Sequence, residues 1–172
     1  SCRGGSSMSW SRRGILAGGL AGALVLAACG FSPVYGPGGT GGKLFGQIRA
    51  ADPSTPDEYT FAGRIAERLG PDQAARFALA YKLRIAVVPQ AITLDEVTTR
   101  YSLNGTADFV LTEAASGQEV TRGQVSTFTS YSTTGTTIAT MSAEQDAHDR
   151  LARMLADQVV TRLLAIDPAT LK

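Results

Sequence analysis

The sequence contains few of the residues that build metal sites or disulfide frameworks. Its 172 residues include one histidine, His148, and two cysteines, Cys2 and Cys29, both near the N-terminus. These two cysteines could in principle form one disulfide, but the rest of the chain offers no cysteine pair. Zinc ligation by the usual Cys and His sets is therefore almost excluded. We predict no metal site and no cofactor.

An excess of charge of one sign is also missing. The chain has 16 Lys and Arg residues against 15 Asp and Glu residues, a formal net charge of +1. Residues 1–28 hold three arginines and no acid, which leaves 13 basic and 15 acidic side chains in the remainder. A nucleic-acid binder would show a basic stripe, so we predict no nucleic-acid partner.

No catalytic constellation is evident either. His148 lies beside Asp146, Asp149 and Arg150 in a predicted helix, and we interpret it as solvated helix surface. The glycine run at residues 36–42 lacks the strand-loop-helix context of a phosphate loop. We predict no catalytic residues and no enzymatic activity. The rival hypothesis, a lipid-anchored enzyme such as a cell-wall hydrolase, would require a cluster of acid, base or nucleophile residues.

The N-terminal segment is typical of an export signal. Arg12 and Arg13 precede an apolar stretch at residues 14–28, which is too short to span a bilayer as a stable helix. We predict a signal peptide over residues 1–28, with Met8 as the native start. The paired arginines leave two export routes open, the general one and the twin-arginine one.

The apolar stretch ends in Leu26-Ala27-Ala28-Cys29, which resembles the lipobox of bacterial lipoproteins. This predicts cleavage before Cys29, acylation of its thiol and a lipid-anchored protein on the periplasmic face of the outer membrane. Gly30 stands where an aspartate would indicate retention in the inner membrane. An ordinary signal peptide followed by a chance cysteine is the alternative.

The pattern after Cys29 predicts a flexible tether over residues 29–42 and one periplasmic α/β domain over residues 43–172. Alternating apolar residues predict strands at 44–50, 79–87, 101–111 and 119–130, with a turn at 113–118 and a bulge near Gly123. Helical spacing predicts helices at 57–69 and from Ser142 to about 166, with a loop at 131–140 before the second. The order β-α-β-β-β-α predicts an α+β two-layer sandwich, in which a four-stranded mixed sheet carries both helices on one face.

Several segments resemble one family. The opening motif of the lipopolysaccharide-assembly lipoprotein family LptE is similar to Cys29-Gly30-Phe31-Ser32-Pro33-Val34-Tyr35-Gly36. Weaker similarities to the family's central strand, last strand and C-terminal helix occur at residues 99–103, 127–131 and 143–147. Val34 stands where leucine is usual, and Ser32 stands where arginine is common.

The resemblance implies a non-catalytic role. Members of the LptE family bind and stabilise the outer-membrane barrel protein LptD and help to deliver lipopolysaccharide to the outer leaflet. The implied partners are therefore an LptD-type barrel, lipopolysaccharide and the membrane itself. An auxiliary lipoprotein of an intermembrane phospholipid transport system is the alternative, because that group also combines a lipobox with a small α/β domain.

Four cations could share one face of the predicted sheet: Arg49, Lys82, Arg84 and Arg122. Helices on the opposite face would leave this one free to meet lipopolysaccharide phosphates or acidic groups in the barrel lumen. The alternative is an ordinary solvated strand face.

Overall fold

The computed structural model describes residues 34–36, 38–72, 74–92, 98–133 and 135–171. The predicted signal peptide and Cys29 lie outside these residues. The described elements follow in the order α1 (Thr40–Leu44), β1 (Ile48–Ala50), α2 (Pro56–Leu69), β2 (Phe77–Ile92), β3 (Thr98–Glu113), β4 (Glu119–Ser132), α3 (Thr137–Leu164) and a short 3₁₀ turn (Pro168–Thr170).

The four strands form one mixed sheet in the order β1-β2-β3-β4. β1 pairs with β2 in parallel, and the other two pairings are antiparallel. The α+β fold and the four-stranded mixed sheet are confirmed, with α1 as an additional short helix before the predicted β-α-β-β-β-α order.

Both long helices pack on one face of the sheet. α2 buries Phe61, Ile65 and Leu69. The centroid of the Phe61 ring lies 4.8 Å from the centroid of the Tyr81 ring on β2. α3 contacts β3 and β4. It buries an alanine- and leucine-rich face: Ala147, Leu151, Ala152, Leu155, Ala156, Val159, Val160 and Leu163. The apolar residues of the strands and the two helices therefore share one core.

The start of α1 corrects the predicted tether. The tether was expected to extend through Gly42, but the structure places Thr40–Leu44 in a helix. The Thr40 hydroxyl donates to the carbonyl of Ile166 at 2.8 Å, and Lys43 Nζ donates to the carbonyl of Pro168 at 2.6 Å. Leu44, expected in the first strand, is fully buried in this helix, and that strand is correspondingly limited to Ile48–Ala50. Contacts with the C-terminal segment thus order glycines that the local sequence alone would leave flexible.

The last helix begins earlier than predicted. β4 extends to Ser132 and α3 begins at Thr137, within the segment expected to be a loop over 131–140. Thr136 caps the helix, since its hydroxyl accepts the N–H of Ala139 at 3.3 Å. Ile138 and Met141 in the first turns are exposed, so the apolar periodicity that marks the rest of the helix is absent there.

The predicted bulge near Gly123 is also wrong. The pairing of β3 with β4 is regular through Gly123, and the register shift in this ladder lies between Leu111 and Thr112, which face Thr121 and Glu119. At Gly123 a Cβ atom would come within 2.8 Å of Phe109 Cζ. The glycine therefore makes room for the Phe109 ring rather than for an extra residue.

Candidate functional site: the uncovered face of the sheet

The sheet has one face that no described helix covers. Along β3, the buried residues Leu103, Ala107, Phe109 and Leu111 alternate with Asn104, Thr106, Asp108 and Val110, which are exposed or half-buried. Because successive strand residues point to opposite faces, the second set lies on the side away from α2 and α3. We refer to this side as the uncovered face.

The strand register places all four predicted cations on the uncovered face. Lys82 pairs with Asp108 across the β2–β3 ladder, and Arg84 pairs with Thr106. Arg49 pairs with Ala78 on β2, and Arg122 pairs with Val110 on β3. The sequence-based grouping of these side chains on one face therefore agrees with the geometry, although no contact with a ligand follows from it.

Three of the four cations have acidic partners. Arg84 pairs with Asp108 at 2.5 Å, Arg49 pairs with Asp72 at 3.9 Å, and Arg122 pairs with Glu119. All six side chains are between 38% and 71% exposed. Ion pairs at such exposure contribute about 0–1 kcal/mol each, so an incoming anion displaces them at little cost.

Asp108 is the acidic centre of the cluster. A hydrogen bond from Gln124 Nε2 at 2.6 Å and the pairing with Arg84 lower the pKa of its carboxyl group. Lys82 lowers this pKa further through Coulombic attraction. Asp108 is therefore an anion at neutral pH, and it pairs with Arg84 on the uncovered face.

Two residues of this face were not predicted as site residues. Arg100 on β3 is exposed and pairs with Ser132, so it adds a cation toward the far end of the sheet. Phe128 on β4 pairs with Asn104 and is 72% exposed. The alternation of Gln124, Ser126 and Ser130 with Val125 and Tyr131 would have placed Phe128 on the polar face. The erroneous bulge at Gly123 concealed that signal.

The histidine expected on solvated helix surface lies instead between the two long helices. The Nδ1 atom of His148 is 3.1 Å from both carboxylate oxygens of Asp57, and both side chains are about one-quarter exposed. Arg64 and Asp157 form a second link between α2 and α3, with the Arg64 Nε at 3.0 Å from the carboxylate. These groups join the two helices on the side of the molecule opposite the uncovered face.

The described part of the chain has neither a membrane-spanning helix nor a metal-binding cluster. None of its helices combines the length and the apolar character that a bilayer crossing requires. Its His, Cys, Asp and Glu side chains form no group of three or more that could hold a metal ion.

Solved structures share the fold. A lipoprotein from Caulobacter crescentus is 22% identical, with a TM-score of 0.61, covering 73% of this chain and 92% of that one. Lipoprotein B from Nitrosomonas europaea is 10% identical with a TM-score of 0.54, covering 72% and 84%. Rare lipoprotein B from Shewanella oneidensis is 12% identical with a TM-score of 0.51, covering 68% and 91%. At these identities the likeness concerns the fold alone.

The family assignment comes from the sequence. A comparison with curated proteins finds no match. The family model described as "LptE: Lipopolysaccharide-assembly" matches residues 45–163, which is more than half of the chain and spans β1 through nearly all of α3. The chain therefore belongs to the LptE family of lipopolysaccharide-assembly lipoproteins.

Proposed function

We propose that this protein is a lipid-anchored assembly factor on the periplasmic face of the outer membrane. It is acylated at Cys29, binds an LptD-type barrel and assists the delivery of lipopolysaccharide to the outer leaflet. It has no catalytic activity of its own. The family match supports this role in lipopolysaccharide assembly. The observation that assigns the role to particular residues is the uncovered face with its four cations.

The dimensions of the sheet suit insertion into a barrel. β2 and β3 each contain 16 residues, which corresponds to about 50 Å at roughly 3.3 Å per residue. The apolar band of an outer-membrane barrel is about 25 Å tall. A domain of this length can extend through the lumen of a wide barrel with its uncovered face against the barrel wall or against cargo.

The chemistry of the uncovered face suits a phosphorylated ligand. Arg84 forms an ion pair with Asp108, and Lys82 acts on the same carboxylate only through Coulombic attraction, so one acid faces two cations. An arginine donates two parallel hydrogen bonds to a phosphate group, and such charge-assisted bonds are stronger than neutral ones. We propose that Arg49, Lys82, Arg84 and Arg122 contact lipopolysaccharide phosphates or acidic groups of the barrel lumen.

Charge reversal tests this assignment. We expect Lys82→Glu/Arg84→Glu to weaken lipopolysaccharide binding about tenfold, since the loss of about 1.4 kcal/mol changes an affinity by that factor. The matched control is Arg153→Glu/Arg162→Glu, which makes the same change in net charge at exposed positions of α3. Binding of purified lipopolysaccharide to each protein is measured at one salt concentration, together with co-purification of the barrel.

The outcomes separate the parts of the proposal. Equal weakening in both double variants would indicate a general charge effect and would remove the uncovered face as the binding surface. If no large heat-modifiable barrel co-purifies with the wild-type protein, the proposed binding to an LptD-type barrel is contradicted.

A further inference from the structure

Three exposed apolar side chains lie at the N-terminal end of the described chain. Val34 is 39% exposed, Tyr35 is 64% exposed and Phe45 is 57% exposed. We call these three residues the N-terminal apolar patch. The helix α1 and its contacts with the C-terminal segment hold this part of the chain in place.

Local contacts bring the three residues together. The N–H of Gly41 donates to the carbonyl of Val34 at 2.9 Å, and the N–H of Phe45 donates to the carbonyl of Gly41 at 3.0 Å. The Tyr35 ring lies so close to Gly41 that a Cβ atom there would come within 2.6 Å of Tyr35 Cδ1. Gly41 thus bonds through its backbone to both Val34 and Phe45 and lies against the Tyr35 ring.

The end of α2 also contacts the patch. The Phe45 ring rests on Gly70, at the end of α2, where a Cβ atom would come within 2.8 Å of Phe45 Cζ. Gly70 has a φ of +78°, a conformation that glycine adopts without strain. The two rings are therefore seated against glycine backbone on one side and face solvent on the other.

The chain leaves little distance between this patch and the proposed anchor. Val34 follows Cys29 by five residues, and five residues span at most about 18 Å even when fully extended. A lipid on Cys29 therefore keeps Val34 and Tyr35 near the bilayer surface. Tyrosine is enriched at membrane interfaces, where its ring lies among the headgroups and its hydroxyl meets water.

We propose that the N-terminal apolar patch contacts the lipid surface and inserts Tyr35 and Phe45 into the headgroup region of the bilayer. This proposal rests on the acylation of Cys29 given under Proposed function. The patch adds a second membrane contact to the lipid and fixes the orientation of the domain at the membrane. The lipid surface is chosen over a protein partner because the distance to Cys29 constrains the patch toward the bilayer.

Tryptophan reporters test the proposal. The only tryptophan of the sequence is Trp10, in the predicted signal peptide, so the mature chain contains none. Tyr35→Trp and Phe45→Trp are produced as the acylated mature protein and reconstituted into phosphatidylethanolamine and phosphatidylglycerol vesicles with brominated acyl chains. Phe128→Trp is the matched control, because Phe128 is an aromatic residue on β4 that is 72% exposed, somewhat more than Tyr35 or Phe45.

The expected result is a blue-shifted emission and a clear loss of intensity by bromine quenching at positions 35 and 45, but not at 128. Flotation of the vesicles is measured first. If the protein floats but quenching is equal at all three positions, or absent, the proposed membrane contact is wrong and the lipid anchor at Cys29 is unaffected. Reporters shielded from acrylamide but not quenched by bromine would indicate a protein contact instead, which also overturns it. A protein that does not float contradicts the anchor, and the membrane contact with it.

Discussion

Gly105 lies where Leu151 and Leu155 of α3 pack directly against β3, and a side chain introduced at this position tests the helix–sheet interface. A Cβ atom at this position of β3 would come within 2.9 Å of Leu155 Cδ1 and within 3.0 Å of Leu151 Cγ and Cδ2. Both leucines are fully buried, and the Leu151 Cγ atom cannot move without moving its whole side chain. We therefore expect any side chain at Gly105 to push α3 away from β3.

The magnitude follows from the volume that Gly105→Val introduces. Overpacking a well-packed core costs about 1–3 kcal/mol, and the three added carbon atoms place this change at the upper end. A reduced entropy of the unfolded chain returns about 0.4–1 kcal/mol. We expect Gly105→Val to lower the free energy of unfolding by about 2 kcal/mol. Thr106→Val, on the uncovered face, should change it by less than about 0.5 kcal/mol.

A second variant makes the test specific to the leucines. Leu155→Ala alone should cost about 2–5 kcal/mol because it leaves a cavity. In that background Gly105→Val should cost much less, since the new methyl groups occupy the vacated space. Urea unfolding followed by far-ultraviolet circular dichroism measures the wild type, the two single variants, the double variant and the Thr106→Val control. Equal costs of Gly105→Val in the two backgrounds, or a wild-type midpoint for Gly105→Val, would refute this account of the interface.

Two further predictions concern α2 and its neighbours. Burial, with smaller contributions from nearby acids, raises the pKa of Tyr81 to about 12. Because this folded-state pKa exceeds the ordinary value near 10, the folded state keeps its proton longer, so stability should fall as the pH rises from about 10 to 12. A wild-type loss of stability over this range that Tyr81→Phe also shows in full would contradict the assignment. For the link between Asp57 and His148, a double-mutant cycle with alanine should give a coupling of about 0.5–1.5 kcal/mol. The exposed pair Asp146 and Arg150 within α3 should give about 0.3–0.5 kcal/mol, and equal couplings would mean that the link between the helices is no stronger than an ordinary surface ion pair.

The sequence predicts the core of the fold because its periodicities are strong. Phe61, Ile65 and Leu69 recur at helical spacing and are all buried. Thr55 accepts the N–H of Glu58 at 3.3 Å, as the capping pattern before the helix predicts. In β2 and β3 the alternation of apolar and polar residues places the side chains on the correct faces. Local pattern and tertiary packing require the same residues here.

The errors occur where tertiary contacts override the local pattern. Gly41 and Gly42 indicate flexibility, but the hydrogen bond from Thr40 to Ile166 connects residues 126 positions apart. No local signal reveals such a partner. Gly123 suggests a bulge by its composition, whereas its role depends on the Phe109 ring of the neighbouring strand. His148 is flanked by charged residues in the sequence, and only the packing of α2 shows that Asp57 faces it.

The uncovered face was predictable to the extent that it depends on alternation. Arg49, Lys82, Arg84 and Arg122 share it because of their positions in the strand register. Their partners were not predictable, since Asp108 and Asp72 reach them through strand pairing and a loop contact. A count of cations in the sequence therefore overstates the free positive charge of this face.

Substitutions on the covered face of the sheet should consequently change stability, whereas substitutions on the uncovered face should change binding. On the covered face, Gly105 and the leucines of α3 are close-packed. A variant that adds or removes side-chain volume there therefore changes the free energy of unfolding. On the uncovered face, Lys82 and Arg84 are exposed and the ion pair of Arg84 with Asp108 is weak, so we expect charge reversal to leave the core intact. If the Lys82→Glu/Arg84→Glu protein unfolds at the wild-type urea midpoint but binds lipopolysaccharide about tenfold more weakly, the weaker binding results from the change of the surface itself. A parallel loss of stability would instead mean that the two cations support the sheet, and the uncovered face would then lose its assigned role.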